Sequence, residues 1–268
     1  MRFTRDFNGV DISAAVPFVK VDLGVTSEAT IQRIGTASSP ATHFFRDPSA
    51  PGTFGTTKTF SQSGSASGIG DVIGRLKGRL VKSGATGIAI GVDVRFPTGD
   101  ELDLLGSGAW GVKPFAILSV SQKVLSPHLN VGYQWNGKSV LAGNVLTGEK
   151  KSLPDQILYD AGVDIGVTPK ITLALDVLGR RVLNSSSTDL SAKHSPRLKT
   201  ETFHALQGGL TFPSIHFVNE PFNVINGAAG VKVNAGGRLL VDVNVLFKLD
   251  NGGLRDKVTP LVGFEYSF

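Results

Sequence analysis

The sequence predicts an all-β fold, an antiparallel, up-and-down transmembrane β-barrel of about twelve strands, with about eleven visible in this chain. Three observations carry that expectation. The stretch from Gly237 to Phe268 alternates apolar and polar residues in steps of two. Short and long connections alternate along the chain. Hydrophobicity is spread thinly, at 41% hydrophobic residues and a mean hydropathy of +0.09, with no apolar run near the roughly 18 residues that a membrane-spanning helix needs. A membrane barrel looks like this because only every second residue meets lipid.

In the C-terminal stretch, Leu239, Val241, Val243, Val245, Phe247 and Leu249 share one face, and Leu240, Asp242, Asn244, Leu246 and Lys248 the other. Asp250 to Gly253 turns by composition. Pro260, Val262, Phe264, Tyr266 and Phe268 then alternate with Thr259, Leu261, Gly263, Glu265 and Ser267. A secreted sandwich or lipocalin-like barrel would also alternate. Small Gly and Ser beside lone charges instead suit a crowded, wet lumen, and an oily face ending in aromatics suits a membrane interface. A terminal strand alternating up to a final Phe resembles the assembly signal of bacterial outer-membrane barrels. That likeness implies the barrel assembly machinery as a partner, engaged through the strand ending at Phe268.

The remaining elements are taken in chain order. Val10 to Val25 reads as the first strand, its phase slipping beside Pro17, where a bulge is expected. Thr26-Ser27-Glu28 reads as a short turn and Ala29 to Gly35 as a return. Thr36 to Ser67, rich in Ser, Thr, Gly and Pro, reads as a long loop. Its Phe44, Phe45, Phe54 and Phe60 either pack the loop against itself or fold it into the barrel mouth. Asp71 to Lys82, Ile88 to Phe96, Leu129 to Trp135, Ile157 to Ile165 and Ile171 to Arg180 alternate as strands. Ala109 to Val120 is apolar on both faces and its phase is open. Glu201 to Phe212 reads as a strand projecting from a long polar stretch, and Asn223 to Val233 as the strand before the last hairpin. Short connections fall at 26–28, 82–85, 121–126, 168–170 and 234–237. Mostly long ones fall at 36–67, 98–108, 137–154, 183–222 and 250–257. Short periplasmic turns and longer extracellular loops give this rhythm.

One large barrel domain over 1–268 is expected. Met1 to Phe7 lacks the roughly 7–15-residue apolar core of a signal peptide. Bacterial barrels have even strand numbers. Both points lead to the expectation that a signal peptide and a first strand precede this chain, unless Met1 to Asn8 supplies a strand fragment.

Phase assigns candidate lumen residues: Lys20, Asp22, Arg75, Lys77, Arg79, Asp93, Arg95, Asp160, Asp164, Asp176, Arg180, Asp242, Lys248 and Glu265. Arg75, Lys77, Arg79 and Arg95 would form a cationic ladder favouring anionic or aromatic solutes. Asp160, Asp164 and Asp176 would face it across the lumen and set a transverse field. The plainer alternative is that these charges pair across the barrel and fill a narrow lumen. Phe96, Trp135, Tyr159 and Phe247 fall on the long-loop side, and Phe264, Tyr266 and Phe268 on the short-turn side. Both belts of an aromatic girdle are thus represented.

Several motifs are similar, in this order, to the bacterial outer-membrane transporter family called "Putative MetA-pathway of phenol degradation". They are Gly68-Ile-Gly-Asp-Val-Ile-Gly-Arg-Leu-Lys77, Phe96-Pro-Thr-Gly-Asp100, Leu129-Asn-Val-Gly-Tyr133, and Gly253-Leu-Arg-Asp-Lys-Val-Thr-Pro-Leu-Val-Gly263 through Phe268. The similarity runs from Phe18 to Phe268. It implies a channel in the bacterial outer membrane that passes aromatic or other small hydrophobic compounds, with membrane lipid and a small solute as partners.

Other classes are disfavoured. Without Cys there is no disulfide framework, Cys zinc site or thiol nucleophile. The net charge of +5 is scattered, so nucleic acid is not an expected partner. No cofactor, metal or catalytic function is expected: Gly68, Gly70 and Gly74 do not spell a dinucleotide fingerprint, and no G-x-S-x-G or H-E-x-x-H is present. Ser126 and His128 resemble an outer-membrane lipase dyad but read better as lumen residues near a turn. The expected function is passive diffusion through the lumen, gated by the loop 36–67. The alternative is a plugged structural or adhesive barrel acting through its loops.

Overall fold

The computed structural model describes residues 2–7, 9–30, 45–46, 54–188, 200–203, 210–213, 217–236, 239–253 and 255–266; among these there is no helix. The strands are β1 (Arg2–Phe7), β2 (Val10–Ala15), β3 (Phe18–Thr30), β4 (Phe45–Arg46), β5 (Phe54–Gly55), β6 (Thr57–Ile69), β7 (Val72–Ser83), β8 (Thr86–Phe96), β9 (Gly111–Val120) and β10 (Leu125–Asn136). They continue as β11 (Lys138–Asn144), β12 (Glu149–Ser152), β13 (Gln156–Thr168), β14 (Ile171–Thr188), β15 (Thr200–Phe203), β16 (Leu210–Pro213), β17 (Phe217–Gly236), β18 (Leu239–Lys248) and β19 (Val258–Tyr266).

Eleven of them form one antiparallel meander, ordered β1-β2-β7-β8-β9-β10-β13-β14-β17-β18-β19. The others pair as two-stranded extensions, β3 with β6, β4 with β5, β11 with β12 and β15 with β16. All of these extensions interrupt the meander at one end only. The opposite end carries tight turns, two of them with Gly in the left-handed region, Gly9 at φ 92° and Gly84 at φ 56°. Short turns and long connections therefore alternate, at the positions the sequence predicts from residue 82 onward. β1 and β19, the edges of the eleven-stranded sheet, both run toward the short-turn end.

The two faces differ in chemistry, and the difference comes from the period of two. On β10, Leu129 and Val131 are half exposed, at 48% and 50%, while His128, Asn130 and Gly132 between them face the enclosed side. The same exposed apolar row recurs from Ile12 through Leu76, Ile90, Leu118 and Leu175 to Val245 and Val262. In water such a continuous patch would drive aggregation; here it is the lipid-facing band. Among the described residues the buried apolar side chains are only Ala109, Ala174, Val182 and Val224, whereas Ser13, Asp93 and Ser139 are buried and polar. The interior is polar and the exterior oily, the inverse of a soluble domain.

The open phase of residues 109–120 is resolved by β9: Val112 and Leu118 are exposed, while Lys113, Phe115 and Ile117 line the enclosed side. The first hairpin differs from expectation. Arg2–Phe7 supplies a strand, and the first short turn is at Gly9. Thr26-Ser27-Glu28 is not a turn, because β3 runs unbroken through it and pairs with β6 from Phe18↔Ile69 to Thr30↔Thr57. The Ser/Thr-rich stretch expected as loop is thus partly strand. Ser61, Ser63, Ser65 and Ser67 recur at a period of two, forming a polar strand face that a search for alternating apolar residues passes over. Pro17 does interrupt the strand, between β2 and β3, and its carbonyl accepts from Gly70 N at 2.9 Å. In place of one strand at 201–212 stands the short pair β15 and β16; residues 31–44, with the expected return and Phe44, lie outside the described residues.

A charge on the oily face should be costly. Val131→Arg, at mid-strand in β10, is expected to lower unfolding stability in vesicles by about 2–4 kcal/mol, measured by urea titration. Asn130→Arg, one residue away on the other face, should cost much less. Equal costs would contradict this assignment of the faces.

Candidate functional site: the lumen and its mouth

The inward face is organised by charges that meet at register positions. Arg75 of β7, Asp93 of β8 and Lys113 of β9 face one another across three strands. Arg75 Nε and Nη2 donate to the two oxygens of Asp93 at 2.6 and 2.7 Å, and Lys113 Nζ approaches Oδ2 at 3.0 Å. Asp93 is buried, and the bidentate fork is the geometry that keeps such a carboxylate favourable. The Arg75 guanidinium also lies 4.9 Å from the centre of the Phe115 ring. Lys77 pairs with Asp11, directly opposite on β2, at 2.5 Å.

Two further bridges span three strands by meeting over a glycine. His128 of β10 and Asp176 of β14 both face Gly162 of β13, and His128 Nε2 lies 2.8 Å from Asp176 Oδ1. Arg95 of β8 and Asn136 of β10 both face Gly111 of β9, and Arg95 Nη2 donates to Asn136 Oδ1 at 2.7 Å. A Cβ at Gly162 would collide with Asp176 and His128, and one at Gly111 would press on Arg95. Asp160 accepts from Asn130, directly opposite it, and Asp164 takes both oxygens to Lys232 Nζ at 2.9 Å. Asp242 accepts from Asn244 on its own strand at 2.8 Å.

These pairs revise the electrostatic picture drawn from the sequence. The cations at Arg75, Lys77 and Arg95 are matched by carboxylates close by in the wall. Asp160, Asp164 and Asp176 are likewise engaged within their own wall, so they do not confront a bare ladder. Lys20 and Asp22 are not in the lumen wall: they sit on β3, 3.3 Å apart and both well exposed. Arg79 faces a small cleft with Lys77 and Asp11 near the short-turn end. Lys248 stands opposite Asn226 on the inward phase of β18. For Glu265 and Tyr266 only the strand backbone is described, with Glu265 paired to Leu240 and Tyr266 to Leu239; Phe268 lies outside the described residues.

At the long-loop rim Phe96 packs edge-on against Trp110 at 4.9 Å, and Tyr133 leans on Trp135 at the same distance. Tyr159 and Phe247 lie over Gly179 and Gly227 of the neighbouring strands. Phe264 is exposed at the short-turn rim. Trp110 belongs to this girdle and is not marked out by the sequence, because it stands in a loop outside any periodic run.

The Gly68–Lys77 and Phe96–Asp100 motifs meet at the mouth. Asp71, nine-tenths buried and in phase with Arg75, accepts from Gly99 N at 3.1 Å, Ser107 N at 2.8 Å and Ser107 Oγ at 2.5 Å, with Arg95 Nε 3.6 Å away. Thr98 Oγ1 donates to Gly70 O at 2.8 Å and accepts from Val72 N at 2.9 Å. The connection 97–110 is thereby folded against the inward side of the wall. Beside it the β3–β6 ribbon is two-faced. Val19, Val21, Leu23, Val25, Phe60 and Ala66 share one side, and Lys20, Asp22, Thr26, Glu28 and the serines the other. A cavity of about 870 Å³ separates the oily side from Leu102 and Leu104. A second inward connection follows β18. There Arg255 donates to Ile225 O at 3.0 Å, Asn226 Oδ1 at 2.6 Å and Asp250 O at 2.8 Å, and pairs with the Asp250 carboxylate. Deeper in, residues from β7, β9, β10, β13, β14 and β17 enclose a cavity of about 450 Å³ with Arg255 at its edge. Sequence reasoning misses Lys113, Phe115 and Arg255 as site residues. The first two lie in the stretch without a clear phase, and the third lies in a turn, where no periodicity marks direction.

A polar interior, a lipid-facing apolar band and an aromatic rim define this molecule as an outer-membrane β-barrel. The outer-membrane channel COG4313 of Pseudomonas putida F1 superposes with a TM-score of 0.57 at 12% identity, covering 98% of this chain and 78% of that one. The NanC porin gives 0.49 at 10% identity, covering 100% and 97%; the Pseudomonas putida toluene transporter TodX gives 0.43 at 10%, covering 100% and 72%. The chain belongs to the family described as "Putative MetA-pathway of phenol degradation", whose profile matches residues 3–212. No curated protein matches it significantly.

Two expectations arise from this geometry. Asp71→Ala removes the acceptor of three hydrogen bonds and strips Arg95 of its counter-ion. It should cost about 2–4 kcal/mol and open residues 97–110 to limited proteolysis, and an unchanged cleavage pattern would count against the latch. Burial pushes the Asp250 carboxyl up, but the amides of Ile225 and Gly252 and the Arg255 guanidinium outweigh it and hold the group below the usual carboxylate range. A depressed folded pKa means that the clasp is fully present above the unfolded value near ~3.9 and fades as pH falls through the folded one. Amide exchange in 249–257 should therefore stay slow at pH ~4 and accelerate only in stronger acid.

Proposed function

We propose that the barrel is a passive outer-membrane channel for small hydrophobic or aromatic molecules, which diffuse through the lumen without energy coupling. The observation that carries this reading is a sequence of two cavities. One sits at the mouth between the β3–β6 ribbon and Leu102 and Leu104, where Val21, Leu23, Val25 and Phe60 stand among serines, Thr59, Gln62 and Asp103. A second lies within the wall, where Phe115, Ile117, Leu158, Leu178 and Val224 interleave with polar side chains. An oily solute sheds water on the first and meets paired, largely neutralised charges in the second. Residues 1–268 act as one barrel domain. Lipid is the partner of its outer face, and the assembly machinery engages the last strand of the meander, β19. The barrel performs no covalent chemistry. In support, His128 Nε2 is engaged by Asp176 and Ser126 Oγ donates to Gln122 O at 3.3 Å, so the two do not form a nucleophile–base pair.

The inward-folded connections 97–110 and 249–257 also favour a second reading, a plugged barrel that works through its loops. Uptake separates the two. Expressed in a Gram-negative host deficient in its own porins, the protein should raise the initial rate of labelled benzyl alcohol entry several-fold over cells without it. A folded, surface-exposed barrel that leaves the rate unchanged would establish the plugged reading instead.

A further inference from the structure

We propose that the inner cavity contains a carboxylate-binding subsite for a small aromatic acid, centred on Arg180 and Arg255 with Phe115 beside it. The proposal rests on the channel reading above and narrows it from oily solutes in general to anionic aromatic ones.

Four cationic side chains, Arg75, Lys113, Arg180 and Arg255, line this one cavity, and Asp160 is the sole carboxylate among its lining residues. Asp93 serves Arg75 and Lys113 together, and Asp250 serves Arg255. Counting these two partners with Asp160, the cations still exceed the carboxylates by one. The excess is localised. Among the described residues Arg180 makes no ion pair, and Arg255 Nε is buried without a hydrogen-bond partner while its two Nη groups are occupied. Arg180 is exposed, so its guanidinium is open to an incoming anion, and guanidinium donors match a carboxylate in both charge and shape.

The rest of the lining sets the orientation. Asn130 Oδ1 is also buried without a partner. As an acceptor it repels a carboxylate oxygen, which directs the anionic end away from β10 and toward Arg180 and Arg255. The Phe115 ring, with Arg75 over it, leaves an aromatic and aliphatic wall with Leu158 and Leu178 for the ring of the solute. A ring that carries one carboxylate satisfies both requirements; a neutral ring satisfies only the second.

The test is calorimetric titration of the refolded full chain in a neutral detergent with benzoate and with its uncharged counterpart benzamide. Benzoate should bind at least about ten-fold more tightly, a difference of one charge-assisted contact. Arg180→Gln should weaken benzoate by about ten-fold and Arg255→Lys, which keeps the charge but loses the fork, by less; Lys20→Gln on the outer ribbon should change nothing. Heat-modifiable gel migration confirms that each variant is folded. Equal binding of the two ligands, or benzoate binding indifferent to Arg180→Gln in the folded protein, overturns the subsite. Failure of the channel reading is separate: it would show as absent benzyl alcohol uptake even where benzoate binds as expected.

Discussion

Inside a bilayer no water is present to satisfy the backbone, so every N–H and C=O that crosses the hydrocarbon must find its partner on a neighbouring strand. Most of the architecture depends on this constraint. It requires a continuous antiparallel ladder, and the eleven-stranded meander supplies one with each strand bonded to its neighbours in chain order. A continuous ladder fixes register, and register decides which side chains share a face. The oily exterior and the charged interior are two consequences of one set of backbone hydrogen bonds.

Glycine's role inside the wall comes from the same geometry. Long polar side chains of the inward face lean along the wall to reach neighbouring strands. Where a strand presents only hydrogen, groups on the strands either side can meet over it, as His128 and Asp176 do over Gly162 and Arg95 and Asn136 over Gly111. The interior is thereby stitched sideways into a belt of neutralised pairs. Arg180 and the inward-turned Arg255 lie beside this belt and line the inner cavity.

Much of this is legible in the residues, and the boundary of legibility is physical. Leu239 to Leu249 and Ile88 to Phe96 reveal their faces because an unbroken apolar row occupies every second position there. Residues 109–120 do not, since Ala109, Ala116 and Ile117 put apolar groups on both sides. β6 is hidden because its alternation is carried by serines rather than by oily residues. Phase alone places Arg75, Asp93 and Asp176 inward, but spacing along one strand says nothing about which neighbour each will meet; that is a property of register between strands. Arg255 acts from a turn, where period carries no information; Asp71 shares the phase of Arg75, but only the fold brings Gly99 and Ser107 near it.

The facing charges have a consequence for how the barrel comes together. Arg75, Asp93 and Lys113 sit at one level of three successive strands. If β7 slipped by one residue against β8, arginine and lysine would turn toward lipid, at about 2–4 kcal/mol each near the midplane. If it slipped by two in one direction, Arg75 would stand against Arg95; in the other, Asp93 would face Ile73 and lose its arginine. Each error is penalised where it occurs, one hairpin at a time. The lumen charges therefore proofread assembly, and a misregistered chain is recognisable by its energy before the last strand is in place.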